Sequence, residues 1–100
     1  MTEEAQRIAI AEACPFVANG TRGYTWWFRQ EEIVFDPAND LNAMHEAEKA
    51  LAFNQFTYLY NLTKEVNLAN PELAFDWAIC HATAAQRAEA FLRTISKWRD

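Results

Sequence analysis

Asp40-Leu-Asn-Ala-Met-His-Glu-Ala-Glu-Lys-Ala-Leu51 is the stretch around which the rest of the chain is arranged. Pro37 disfavours α geometry at Asp36, so the extended run before it stops there. Asn39 or Asp40 can then cap a helix by accepting hydrogen bonds from the free first-turn N–H groups. Leu41, Met44, Ala47 and Leu51 recur at near-helical spacing and form one apolar stripe. That spacing defines an element to be covered and carries no chemistry of its own.

On the N-terminal side, Thr2 is placed to cap a helix, with Glu3 and Glu4 in the first turn where the dipole favours negative charge. Ala5, Ile8, Ala9 and Glu12 share one face, and Ile10, Ala13 and Cys14 share another. This predicts a helix from Glu3 to Ala13 buried on more than one side and stopped by Pro15. Phe16 to Gly23, containing Asn19-Gly20, has the composition of a loop or turn. Tyr24-Thr-Trp-Trp-Phe-Arg29 and Ile33-Val-Phe35 are dense in β-formers and flank the polar Gln30-Glu31-Glu32, the pattern of a β-hairpin. Alternation sets Tyr24, Trp26 and Phe28 on one face and Thr25, Trp27 and Arg29 on the other. The first is core; the second is only partly covered.

On the C-terminal side, Phe56, Leu59, Thr63 and Val66 keep helical spacing, with Leu62 filling the same face, so a helix is predicted over Asn54 to Asn67. Asn70-Pro71 opens a turn. Phe75-Asp-Trp-Ala-Ile-Cys-His81 is compatible with a short helix or with a strand placing Trp77, Ile79 and His81 on one face. A strand is favoured over its latter half, because a new helix starts so clearly at Thr83. Thr83-Ala-Ala-Gln86 is a capping-box pattern, and Ala88, Phe91, Leu92 and Ile95 follow at i, i+3, i+4 and i+7. The predicted fold class is α+β: a small, mostly antiparallel three-stranded sheet covered by helices, in the order α-β-β-α-α-β-α, as one domain spanning residues 1–100.

Two blocks carry a family resemblance: Asp40 to Leu51, and Ala82-Thr-Ala-Ala-Gln-Arg-Ala-Glu-Ala-Phe-Leu-Arg-Thr-Ile95. Together they resemble the small phage and prophage proteins grouped as the phage ABA sandwich domain. The Phe16–Gly23 loop departs from that pattern. The resemblance implies an α/β/α layered fold and a bacteriophage or prophage origin; it implies no reaction.

Composition limits the functions available. Apolar residues make up 51% and aromatics 14% of the 100 residues, with four Trp and seven Phe, a rich supply of rings for a single modest core. Nine basic against fourteen acidic side chains give a net charge of −5, which disfavours duplex nucleic acid, whose binding depends on phosphate neutralisation. An acidic chain suits a basic protein surface instead, or simply stays soluble. Cys14 and Cys80 are isolated, no basic n-region precedes an apolar run, and no stretch is long enough to span a bilayer. A cytoplasmic protein with reduced thiols, in a bacterial host if the phage origin holds, is expected, with no cofactor and no membrane partner.

No catalytic pattern survives inspection. His45 and His81 lack the His-Glu-x-x-His spacing, and neither has a second ligand at i+4. Cys80 and His81 are adjacent, so on a strand they face opposite sides and cannot form a nucleophile pair; Cys80 is expected in the core. Two glycines cannot build a phosphate loop, and Ser96 is the only serine. The aromatic and basic side chains offer more: Trp26, Trp27 and Arg29, with His45 and Arg87, are the candidate ligand-binding residues. Rings and guanidinium groups stack on purines and hold phosphates, and the same types dominate protein interfaces. A small-sheet core would equally absorb most of these rings, and Arg87 would equally pair with a carboxylate. The expectation is a non-enzymatic phage binding protein, acting in counter-defence. It would sequester a nucleotide-type immune signal or block a host protein, and a homo-oligomer is compatible with either. A structural or assembly accessory protein is the alternative, and a small hydrolase of such a signal ranks third.

Overall fold

The computed structural model describes residues 1–20, 23–28, 31–51, 54–69 and 80–99. They form an α+β domain: α1 (Glu3–Ala13), β1 (Ala18–Gly20), β2 (Gly23–Phe28), β3 (Glu31–Val34), α2 (Leu41–Glu48), α3 (Gln55–Ala69) and α4 (Ala84–Thr94).

The helix starts follow the local signals. Thr2 Oγ1 accepts from Ala5 N at 3.1 Å, and Asp40 Oδ1 accepts from Asn42 N at 3.0 Å. At α4 the capping box closes in both directions: Gln86 N donates to Thr83 Oγ1 at 3.1 Å, and Thr83 N donates to Gln86 Oε1 at 2.9 Å. Such caps are worth about 0.5–2 kcal/mol each. The Asp40–Leu51 stretch is α-helical to Glu48 and tightens into a 3-10 turn over Lys49–Leu51. Met44, Ala47 and Leu51 are buried as the stripe requires, whereas Leu41 is 44% exposed at the first turn.

β2 and β3 pair antiparallel, with Thr25 opposite Val34, Trp26 opposite Ile33 and Trp27 opposite Glu32. β1 adds a short ladder to the other side of β2, Gly20 facing Gly23 and Ala18 facing Thr25. The segment read as loop therefore carries three strand residues, and β2 begins at Gly23 with φ +85°, a conformation open to a residue without Cβ. The strand favoured over Phe75–His81 falls largely outside the described residues, but its end is corrected. Cys80 has helical backbone and His81 lies in a turn, because the chain is already turning towards the Thr83 cap. With that change Cys80 becomes exposed, not a core residue, while Cys14 is the buried thiol and burial pushes its pKa up to about 12.

α4 is the hub. Its small residues Ala84, Ala88 and Ala90, with Phe91 and Leu92, are buried, so α1, α2 and α3 all approach it closely. Ile10 of α1, Met44 of α2 and Leu62 and Val66 of α3 complete the centre. Beneath the sheet, Trp26, Phe35 and Phe16 meet edge-on with centroids 5.9–6.5 Å apart. The opposite sheet face exposes Trp27, Val34 and Glu32, whereas Thr25 on that face is buried and donates to Glu32 Oε1 at 2.7 Å, so this face is only partly covered. α4 ends in a Schellman turn: Lys97 N donates to Leu92 O at 2.8 Å and Ser96 N to Arg93 O at 3.2 Å, with Ser96 at φ 61°. That turn sends Lys97–Arg99 back towards α1.

Candidate functional site

The five candidate ligand residues do not converge. Trp26 and Trp27 are neighbours on β2, so the strand's period of two sends them to opposite faces. Trp26 is 4% exposed and belongs to the aromatic core; Trp27 is 68% exposed. Arg29 lies outside the described residues. His45 sits on the outer surface of α2, and Arg87 at the start of α4 is held in a polar cluster.

Glu48 is the centre of that cluster. Its Oε1 lies 2.8 Å from His45 Nδ1, and its Oε2 accepts from Arg87 Nη1 at 3.0 Å and from the Tyr58 hydroxyl. Arg87 Nε also donates to Ala82 O at 3.2 Å. One carboxylate thus ties α2 to α3 and α4, with little solvent around it: the side chains of Arg87 and Glu48 are 12% and 18% exposed. Burial, then the hydrogen bond and charge of Glu48, push the Tyr58 pKa far above its ordinary value against the opposing pull of Arg87, so the phenol stays protonated. Both oxygens of Glu48 are occupied by donors. The arrangement fixes α2, α3 and α4 to one another and orients the exposed His45 ring through its Nδ1.

A second polar group joins α3 to α4. Arg93 Nε lies 3.1 Å from Glu89 and 3.7 Å from Glu65. Burial, followed by the hydrogen bond and charge of Glu89, raises Glu65 from 4.5 to about 7, with Arg93 opposing. The folded state therefore keeps a proton on Glu65 that the unfolded chain releases near its ordinary carboxylate pKa. Its stabilising effect is full below about 4.5 and is lost as pH rises through about 7. Glu65→Gln keeps a neutral side chain at every pH. Relative to wild type it is expected to gain on the order of 1 kcal/mol at pH 8, after discounting for solvent access, and nothing at pH 4.5. Urea midpoints at the two pH values measure this; an offset that does not change with pH would refute it.

Among the described residues, the most exposed large apolar side chain, Phe56, lies on α3. Val66 and Leu62 are buried as expected, but Phe56 is 91% exposed and Leu59 and Tyr60 are also open to solvent. The core stripe is Tyr58, Leu62 and Val66; it shares Leu62 and Val66 with the stripe the spacing suggested and takes Tyr58 where that stripe has Phe56 and Leu59. Both stripes are apolar, and only packing against α4 selects between them. Phe56, Leu59 and Tyr60 therefore form an outward ridge at i, i+3 and i+4. Lys64 Nζ lies 4.8 Å from the Tyr60 ring centroid, and a shallow depression of about 280 Å³ lined by Glu48, Lys49, Gln55, Tyr58 and Leu59 runs beside the ridge.

Among the described residues, no cluster of three or more His, Cys, Asp or Glu side chains is placed to hold a metal, and no helix is long and apolar enough to cross a membrane. No family model matches the chain, and no curated protein or solved structure matches it.

Proposed function

We propose that this chain is a non-enzymatic binding protein that occupies another protein's surface through the α3 ridge. The observation that carries the reading is the exposure of Phe56, at 91%, on the same helical face as Leu59 and Tyr60. A ring that open gains nothing in the isolated fold, and burying it against a partner is favourable by about 1.5–3 kcal/mol. The net charge of −5 favours a partner with a basic surface. If the resemblance to the phage ABA sandwich domain reflects origin, the partner is a protein of the bacterial cytoplasm and the role is counter-defence.

The nucleotide-sequestering version is less supported. Trp26 lies inside the core, the Arg87 guanidinium is engaged by Glu48, and the strand partner of Trp27 is the acidic Glu32. The assembly-protein alternative uses the same ridge against a structural partner.

Affinity capture from a bacterial lysate with wild type and with the F56E/Y60E variant tests the reading. A specific co-purifying protein should be lost in the variant and kept in Trp27→Ala, with Phe56→Ala alone weakening it by at least about 2 kcal/mol, the scale of an interface hot spot. Circular dichroism should show all three variants folded, since Phe56, Tyr60 and Trp27 are exposed. Identical capture by wild type and F56E/Y60E would remove the ridge from function. Calorimetric heat with cyclic or ADP-ribose-type nucleotides would move it to ligand sequestration, and conversion of such a nucleotide would move it to hydrolysis.

A further inference from the structure

A second groove lies apart from the α3 ridge. It runs between α1 and the returning C-terminal tail as an open cleft of about 600 Å³. Ala5, Ile8 and Ala9 form one wall and Ile95 the other, while Lys97 and Arg99 stand at its rim. Volumes of about 300–1,000 Å³ with apolar walls and few polar groups are characteristic of small-molecule sites.

The shape of this groove follows from two local features. The alanines on α1 leave a shallow channel where larger side chains would meet the tail. The Schellman turn at Ser96 then folds Lys97–Arg99 back beside it instead of letting the chain run on from α4.

The charges at the rim are unequal in availability. Glu12, the one acidic lining residue, faces the sheet side, where Oε1 lies 3.4 Å from the Tyr24 hydroxyl. Lys97 and Arg99 are exposed and take part in no ion pair among the described residues. Two exposed cations at the rim of an apolar channel are available to an external anion whose body lies in the channel.

We infer that this groove binds a small amphipathic carboxylate, its aliphatic body lying along Ile8 and Ile95 and its headgroup paired with Lys97 and Arg99. Burial of the body supplies the affinity, and the cations fix its direction and reject neutral analogues.

Calorimetric titration with octanoate, decanoate and dodecanoate, below their micellar concentrations, tests this. Saturable one-to-one binding is expected, tightening by about two- to fourfold per added methylene as apolar surface is buried. The K97Q/R99Q variant, altered only at exposed side chains, should bind decanoate about three- to tenfold more weakly. High salt should weaken binding to wild type and have little effect on that variant. Ala5→Trp, which fills the channel, should abolish binding, while Phe56→Glu on the unrelated ridge should leave it unchanged. The inference is overturned by no saturable binding up to on the order of 1 mM, the weak end of specific affinities. It is equally overturned by decanol binding as tightly as decanoate, or by undiminished decanoate binding to K97Q/R99Q. Preference for an acidic amphipathic peptide over every carboxylate in the series would also overturn it.

Discussion

Glu48→Ala is expected to destabilise the fold by about 2–4 kcal/mol, a large share of the stability of a domain this size. The carboxylate accepts from Arg87 and Tyr58 on Oε2 and contacts His45 through Oε1, so one truncation strips three side chains of a shared partner. Two of those three are largely out of water. Arg87 keeps its bond to Ala82 O, but its charge loses the counter-charge 3.0 Å away. The Tyr58 hydroxyl loses its acceptor inside a pocket that keeps the phenol protonated. Leaving such groups buried costs more than the bonds were worth in forming, which is why the loss exceeds that of a surface ion pair. Glu48→Gln, which preserves shape and one acceptor oxygen, should lose about half as much. Glu46→Ala, which removes an exposed side-chain pair with Lys49, should stay within about 0.5 kcal/mol. Urea unfolding of the three variants decides the matter; a loss at Glu48→Ala no larger than at Glu46→Ala would show that the cluster holds nothing together.

Trp26→Ala and Trp27→Ala, adjacent in sequence, are expected to differ by about 3 kcal/mol or more. Trp26 is 4% exposed and meets Phe16 and Phe35 edge-on, so removing it opens a cavity in the sheet-side core and costs about 3–5 kcal/mol. Trp27 is 68% exposed opposite Glu32, and its removal should stay within about 0.5 kcal/mol. The contrast reads the hairpin register directly. A slip of one residue would exchange the two faces and reverse the order of the two variants. Equal losses at both positions would mean the outer sheet face is covered after all.

Much of the α+β fold is legible in the chain itself, wherever a local rule acts alone. Thr2, Asp40 and Thr83 start their helices because their side-chain oxygens reach first-turn N–H groups only a few residues away. Trp26 and Trp27 part company because a strand alternates. Those outcomes depend on neighbours in sequence, and the hairpin with its flanking helices follows from them.

The remaining features depend on which surfaces meet. On α3 the spacing points to Leu62 and Val66, but nothing in the sequence says that Tyr58 would join them in place of Phe56 and Leu59; contact with α4 makes that choice. Arg87 finds Glu48 across 39 positions, a distance over which periodicity is silent, so a candidate ligand residue proves to be a helix clasp. Cys80 was legible as core only on the assumption of a strand, and the helical backbone there turns it outward. The aromatic surplus was visible from composition, but its position was not. Composition counts rings, whereas burial depends on the order in which helices occupy a finite interior, and that order left Phe56 outside.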